Sequence, residues 1–452
     1  MAFQQLIFTL LILPLAVILF RFLPARLRKP ALLILSVFYI VWGSAADLFY
    51  VACAIAFNYL TAMLFTGLKK DGYVNYARVT FITGVALDLG FLAFFKYINV
   101  WAGSPLPVPV GVSFFTFSLL SFLADLYRGR ETLPNFLDFS LFVTFFPKFT
   151  SGPIVRFVDF TKQLSEMEVT REKTEEGACL YLTGLAKKVL LADGLTVLFT
   201  AASTAAAPSA LLAWGGALAY TFLLYFDFSG YSDMALGVGR MLGVTMAENF
   251  RYPYVSLSVS DFWRRWHISL GAFFREYVYI PLGGNRKGAR RTVLNLLVVW
   301  ILTGVWHGST LAFVAWGLWH FLWIAAEKYL FKKKLDKIPP VLRIAGTFLI
   351  ALTGWVFFFS GSLIGSFKYL GAMLGIGAGT DPGAYAVLTA LPLLLISAFA
   401  ALPVGKELAG RLEQRLPKAY PYIKVAYFAC LLLLSVAAMV GSTYTSFLYA
   451  GF

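Results

Sequence analysis

The chain has 452 residues, 59% of them hydrophobic and only 13% charged. An ordinary soluble domain carries about 25% charged residues, so that class is excluded. The net charge of +15, from 38 Lys and Arg against 23 Asp and Glu, falls mostly between the apolar runs. There it reads as topology and attraction to anionic lipid head groups, or as a basic mouth for a phosphorylated donor such as coenzyme A or an acyl-carrying phosphopantetheine; nothing in it supports nucleic-acid binding.

A helix needs about 20 mostly apolar residues to cross a bilayer. In chain order such runs lie at 6–22, 31–48, 49–67, 79–99, 110–127, 177–202, 210–227, 292–309, 310–330, 341–360, 384–403 and 425–442. They predict an all-α polytopic membrane protein with about 12 transmembrane helices. Arg21, Arg26, Arg28 and Lys29 follow the first run and no Lys or Arg precedes it, the reverse of a cleavable signal, so it is expected to stay as an anchor. With that cluster cytoplasmic, successive crossings put Lys69, Lys70, Arg128, Arg130, 286–291, 328–337 and 411–424 on the same side. The opposite connections, such as "NVWAGSPLPVPVG" and "GSLIGSFKYLGAMLGIGAGTDPG", hold one Lys, Lys368. This asymmetry predicts extracytoplasmic N- and C-termini.

No hydrophilic stretch is long enough for a separate soluble domain and no fixed repeat is visible, so residues 1–452 read as a single membrane-embedded domain. Three segments are too polar or too Gly/Pro-broken to be plain spans: "FFPKFTSGPIVRF" (145–157), "YFDFSGYSDMALGVGRMLG" (225–243) and the interval 244–291. Irregular backbone at membrane depth is tolerated only against protein or a water-filled cavity, so these segments mark a wet interior. Cys53, Cys179 and Cys430 are scattered through apolar runs without a CxxC. They read as small buried hydrophobes, and neither a disulfide nor a metal is expected.

Within "SVSDFWRRWHISLGAFFREYVYIPLGG", Phe262, Trp266, Leu270, Phe273 and Tyr277 make one apolar stripe at helical spacing. Ser260, Arg264, His267, Gly271 and Arg275 make another. The expectation is one amphipathic interfacial helix ended by Pro281 and Gly283-Gly284, with His267 kept neutral by the arginines beside it. Asn249, in "AENFRYPY", reads either as a substrate hydrogen-bonder or as loop chemistry before Pro253. Asp227 and Asp233 flank the Gly230 break; they read as helix caps paired with Arg240 or Arg251, or as substrate or histidine-orienting groups.

The chain has only three histidines. His307 stands in the apolar "ILTGVWHGSTLAF", before Gly308, Ser309 and Thr310, which can end one helix ahead of the next. A histidine at such depth should be neutral; it reads as functional, or as a structural side chain satisfied by a backbone carbonyl at the turn between two spans. It can take a proton from a hydroxyl attacking a carbonyl, help worth roughly a hundredfold to ten-thousandfold, or act as a nucleophile. His320, in "WGLWHF", reads as a structural hydrogen bond between helices. No G-x-S-x-G, H-E-x-x-H or Cys/His metal spacing occurs.

Taken together, "SFFTFSLLSFLADLYRG", "SGPIVRF", "YFDFSGYSDMALGVGRMLG", "ENFRYPYVSLSVSDFWRRWHISLGAFFREYVYIPLGGNRKG" and "LTGVWHG" resemble the membrane-bound O-acyltransferase superfamily. They are most similar to its bacterial branch containing the alginate O-acetyltransferase membrane subunit, over a core of about residues 110–330. The resemblance implies re-entrant and interfacial helices and a ring of tilted helices around a central funnel. It places the family's catalytic histidine on His307, beside Trp306, and its second characteristic histidine on His267, with Arg264, Arg275, Asn249 and Asp227 along the donor funnel. It also implies an acyl thioester donor, acetyl-coenzyme A or an acyl carrier, with no permanently bound cofactor. The acceptor would be a hydroxyl of an extracytoplasmic glycan, reached with an SGNH-type partner enzyme, and the location a bacterial inner membrane. Tyr449, in "TSFLYAGF", falls where related chains carry a C-terminal Tyr able to relay the acyl group, although Ala450 and Gly451 depart from the bulkier residues expected after it. Lys148 replaces an expected neutral polar residue. Two other readings are D-alanyl transfer to teichoic acid from a carrier protein, and a transporter whose polar residues line a solute path.

Overall fold

The computed structural model describes residues 3–103, 106–380 and 383–441, and among these it contains helices and turns with no strand. Six helices are long and apolar enough to cross a membrane: Ala45–Lys70, Val74–Ile98, Ala210–Met241, Gly288–His307, Pro340–Phe359 and Tyr420–Gly441. A bent pair, Ala384–Ala400 and Val404–Arg415, makes a seventh if its 61° break lies within one span. The protein is therefore a multi-pass membrane protein. The remaining runs form shorter or interrupted helices. Val112–Tyr127 has 16 residues, a rise of about 24 Å against a hydrocarbon core of about 30 Å. Leu311–Ala326 is equally long before a π turn, and the 177–202 run is interrupted by another at Lys187–Ala192.

The chain clusters into two compact units, one drawing on Met1–Tyr181 and Tyr231–Glu248, the other on Leu182–Gly230 and Asn249 onward. The first has an aromatic core, with Phe122 stacked on Phe139 at 4.0 Å and edge-on to Phe157 at 5.0 Å. As the sequence suggested, 145–157 is not a plain span. The short helix Phe146–Phe149 leads into irregular backbone before Phe157–Ser165. Lys148 is buried there; its Nζ donates to Ser118 Oγ at 2.8 Å and lies over the Phe142 ring at 4.2 Å.

In the second unit the helices Gly288–His307 and Leu311–Ala326 form a hairpin whose backbones nearly touch. A Cβ on Gly304 would lie 2.5 Å from the Phe313 carbonyl oxygen, and one on Gly317 would lie 2.4 Å from that of Trp300. Small residues at such crossings are how membrane helices approach closely.

Two expectations fail here. The 225–243 segment is no break, because it continues the 32-residue helix Ala210–Met241. Gly230 serves close approach instead: a Cβ there would stand 2.7 Å from the Gly184 carbonyl oxygen. The cysteines are not buried either, since Cys53 and Cys430 are exposed and Cys179 is half-buried. On a membrane protein an exposed apolar side chain faces lipid, so hydrophobicity does not select for the interior.

Candidate active site

His267 does not ride on a continuous amphipathic helix. The helix Val259–Arg265 ends at Trp266, and Ile268–Phe274 begins after His267, whose φ is 44°. His267 and Tyr252 are the two non-glycine residues with positive φ among those described, a conformation costing on the order of 1–3 kcal/mol each. Hydrogen bonds between 249–251 and 265–269 offset that cost. Ile268 N–H donates to the Asn249 carbonyl at 3.0 Å and Arg251 N–H to that of Arg265 at 2.9 Å. Asn249 Oδ1 accepts from Ser269 N–H at 3.1 Å and from Ser269 Oγ at 2.9 Å.

His267 Nδ1 lies 3.3 Å from the same Asn249 Oδ1. A carbonyl oxygen only accepts, so Nδ1 carries the proton and Nε2 is the basic nitrogen. With 2% exposure, His267 is held neutral by burial, which pushes its pKa well below the ordinary imidazole value. The expected cause was the neighbouring arginines, but they point away. Arg264 is 73% exposed and pairs loosely with Asp261 at 3.6 Å, while Arg275 is exposed. Of the predicted apolar stripe, Phe262, Trp266, Leu270 and Phe273 are buried, while Tyr277 is half-buried.

His307 is the last residue of its helix, which Gly308 ends as the sequence predicted. Its imidazole is 2% exposed and is enclosed by Trp306 at 4.7 Å, Trp316 at 4.9 Å and Phe358 at 5.0 Å. Trp306 also lies 6.3 Å from the His267 ring, and Trp316 lies 5.3 Å from His320. All three histidines of the protein thus stand in one row, His267, Trp306, His307, Trp316, His320, with an indole between each pair. Sequence reading named Trp306 but gave no signal for Trp316.

His320 does not make the interhelical hydrogen bond expected of it. It is 0% exposed, and neither ring nitrogen has a hydrogen-bond partner. Its surroundings are aromatic, with Trp263 at 4.8 Å edge-on and Trp300 at 5.6 Å. Gly354 leaves room for it, since a Cβ there would fall 2.7 Å from Nε2.

Asp227 is fully buried, and it pairs with Lys188 rather than with Arg240. Lys188 Nζ lies 2.7 Å from Asp227 Oδ1 and 2.7 Å from Asp193 Oδ1. Arg240 pairs instead with Glu176 at 3.0 Å. Sequence reading missed Lys188; the available signal was a lysine inside an apolar run, five residues before an aspartate. Of the candidate residues, the structure brings His267, Asn249, Trp306 and His307 together. It places Asp227 in an ion cluster and Arg264 and Arg275 at the surface, and Tyr449 lies outside the described residues.

The fold is that of a multi-pass helical membrane protein with two buried, neighbouring histidines in its second unit. Comparison with known proteins assigns the family. Residues 52–358 match the model of the MBOAT, membrane-bound O-acyltransferase family. The chain is 38% identical over 401 residues to a probable alginate O-acetylase AlgI of Pseudomonas putida, covering 83% of this chain and 81% of that one. It is 32% identical over 390 residues to a peptidoglycan O-acetyltransferase of Helicobacter pylori, covering 76% and 73%. It is 30% identical over 275 residues to a teichoic acid D-alanyltransferase of Bacillus subtilis, covering 55% and 68%. The chain belongs to the membrane-bound O-acyltransferase family and is an acyltransferase.

Proposed function

We propose that the protein moves an acetyl or other short acyl group from a cytoplasmic thioester, acetyl-coenzyme A or an acyl carrier, toward hydroxyls of an extracytoplasmic polysaccharide. His307 acts as general base. Its ring nitrogen takes the hydroxyl proton as the oxygen attacks the thioester carbonyl; the C–S bond then breaks, and the thiolate leaves with that proton. His267 stands beside it as a neutral imidazole with Nε2 available as acceptor, held in place by Asn249. The observation carrying this reading is the seating of both histidines against the single indole of Trp306.

Because His307 is buried, turnover requires the aromatic side chains around it to part. This suits a central funnel surrounded by about a dozen crossings in one membrane-embedded domain, with Arg264 and Arg275 at its basic mouth. The charge asymmetry supports a bacterial inner-membrane location with both termini extracytoplasmic. An SGNH-type partner completes transfer to the glycan, and Tyr449 is the candidate relay. The Pseudomonas and Helicobacter relatives favour acetyl transfer to a glycan; the shorter Bacillus match carries D-alanyl transfer as the second reading.

The test is purified full-length protein with radiolabelled acetyl-coenzyme A, compared with His307→Ala. Label release or transfer should fall by about a hundredfold to ten-thousandfold. Undiminished turnover removes the assignment of His307, and turnover only with D-alanyl carrier protein favours the second reading.

A further inference from the structure

The segment that carries His267 is held along the His307 hairpin at three levels. At the foot of the hairpin, directly after Leu311–Ala326, the half-buried Glu327 takes three hydrogen bonds on one carboxylate. Oε1 accepts from Val259 N–H at 2.5 Å, and Oε2 accepts from Ser260 N–H and from Ser260 Oγ, each at 2.9 Å. Midway, Trp263 stands edge-on to Trp300 and to His320, both at 4.8 Å. At the far end the His267 ring stands against Trp306, the residue before His307.

Of these contacts the one at Glu327 is directional. Packed rings stay in contact when they slide a little, whereas hydrogen bonds weaken steeply with misalignment, and those to a charged acceptor are the strong ones. Starting the helix does not require Glu327, because Ser258 Oγ already accepts from Asp261 N–H at 3.0 Å. The Val259 and Ser260 N–H groups are left over, as donors in a first helical turn always are, and a carboxylate 67 residues beyond Ser260 takes both. From another helix, Pro340–Phe359, Arg343 Nε donates to the Leu257 carbonyl at 3.1 Å, so the turn is tied on a second side. Val259–Arg265 has seven residues, a rise of about 10 Å. So short a rod passes a shift at Val259 on to His267.

We infer that Glu327 is a positioning residue for acyl transfer: by fixing 259–260 against the foot of the hairpin, it sets the place of His267 relative to Trp306 and His307. The inference rests on the acyl-transfer reading proposed above. The test pairs turnover with hydrogen exchange resolved to single amides, on the full-length protein in nanodiscs, wild type against Glu327→Gln. That variant keeps the side-chain length and replaces the charge and one acceptor oxygen by an amide nitrogen. Exchange should quicken at Val259 and Ser260 and also at Ile268 and Ser269, whose N–H groups bond Asn249, with the rest of the second unit unchanged. With acetyl-coenzyme A, kcat should fall about tenfold to a hundredfold, the scale of a misplacement of an ångström, and KM for the thioester should move less. Ser260→Ala removes one of the three bonds and should give a smaller loss at the same amides and in kcat, which keeps the test valid if Glu327→Gln does not fold. Glu176→Gln, which breaks the surface pair with Arg240, should change neither readout. Quickening confined to Val259 and Ser260, quickening throughout the second unit, or an unchanged kcat overturns the proposal. Absence of acyl turnover in the wild type instead strikes the acyl-transfer reading, and exchange at Ile268 and Ser269 then still decides whether Glu327 places His267.

Discussion

His267 and His320 are equally buried but held in opposite ways. The first sits on a left-handed backbone within reach of Asn249 and Ser269; the second is wrapped in tryptophan and has no hydrogen-bond partner. Burial alone therefore does not mark a working imidazole. A polar partner that fixes one tautomer gives the other ring nitrogen a defined lone pair; of these two, His267 has such a partner and His320 does not. Its strained turn fits a functional site, whereas His320 behaves as one more ring in an aromatic cluster.

Partnering is strongest at Lys188, so the contrast is tested hardest there. Lys188→Met removes the buried cation beside Asp227 and should cost about 3–5 kcal/mol of stability, read as a large loss of thermal stability in detergent; a variant as stable as wild type would show that buried partners matter little in this fold. Asn249→Ala comes next. It removes the acceptor that positions His267 and should lower acyl transfer by up to about a hundredfold through misplacement of the ring, with thioester KM changing less than kcat. A drop in expression alone, with kcat intact, would reduce Asn249 to a loop residue.

Protonation sharpens the same contrast. Burial holds the folded His267 pKa below that of the unfolded chain, so the unfolded state binds the extra proton. The penalty is absent above the ordinary imidazole value of about 6.5 and grows as pH falls below it. Wild-type melting temperature should therefore fall more steeply than that of His267→Gln between about pH 7.5 and 5, the side of the imidazole range where the unfolded state protonates. Parallel curves would place His267 in a more polar setting. The smallest effect belongs to His320→Leu. It conserves volume, breaks no hydrogen bond, and should cost less than about 1.5 kcal/mol with turnover nearly unchanged; a collapse in rate would promote His320 to a functional role and end the comparison.

The sequence made legible what depends on local chemistry. The helix stop at Gly308 and the apolar stripe from Phe262 to Phe273 needed only spacing and turn residues. The pairing of His267 with His307 was named from family motifs, and Trp306 as the residue joining them emerged only in three dimensions. What failed was long-range or ambiguous. Gly230 reads identically as a helix break and as a contact point, and only the Gly184 carbonyl decides. Asp227 had two plausible arginines within easy sequence reach, yet its cation came from Lys188. The Trp266–His267 break could not be read from periodicity, because the residues on either side keep helical spacing.

The glycine contacts between Gly288–His307 and Leu311–Ala326 have a consequence for biogenesis. Gly304 meets Phe313, and Gly317 meets Trp300, residues near one another along the chain, so this pair can zip shut during insertion, before distant segments arrive. Trp306 and Trp316, both on this pair, stand against the His307 ring, so the hairpin carries two of its walls and Phe358 of Pro340–Phe359 supplies another.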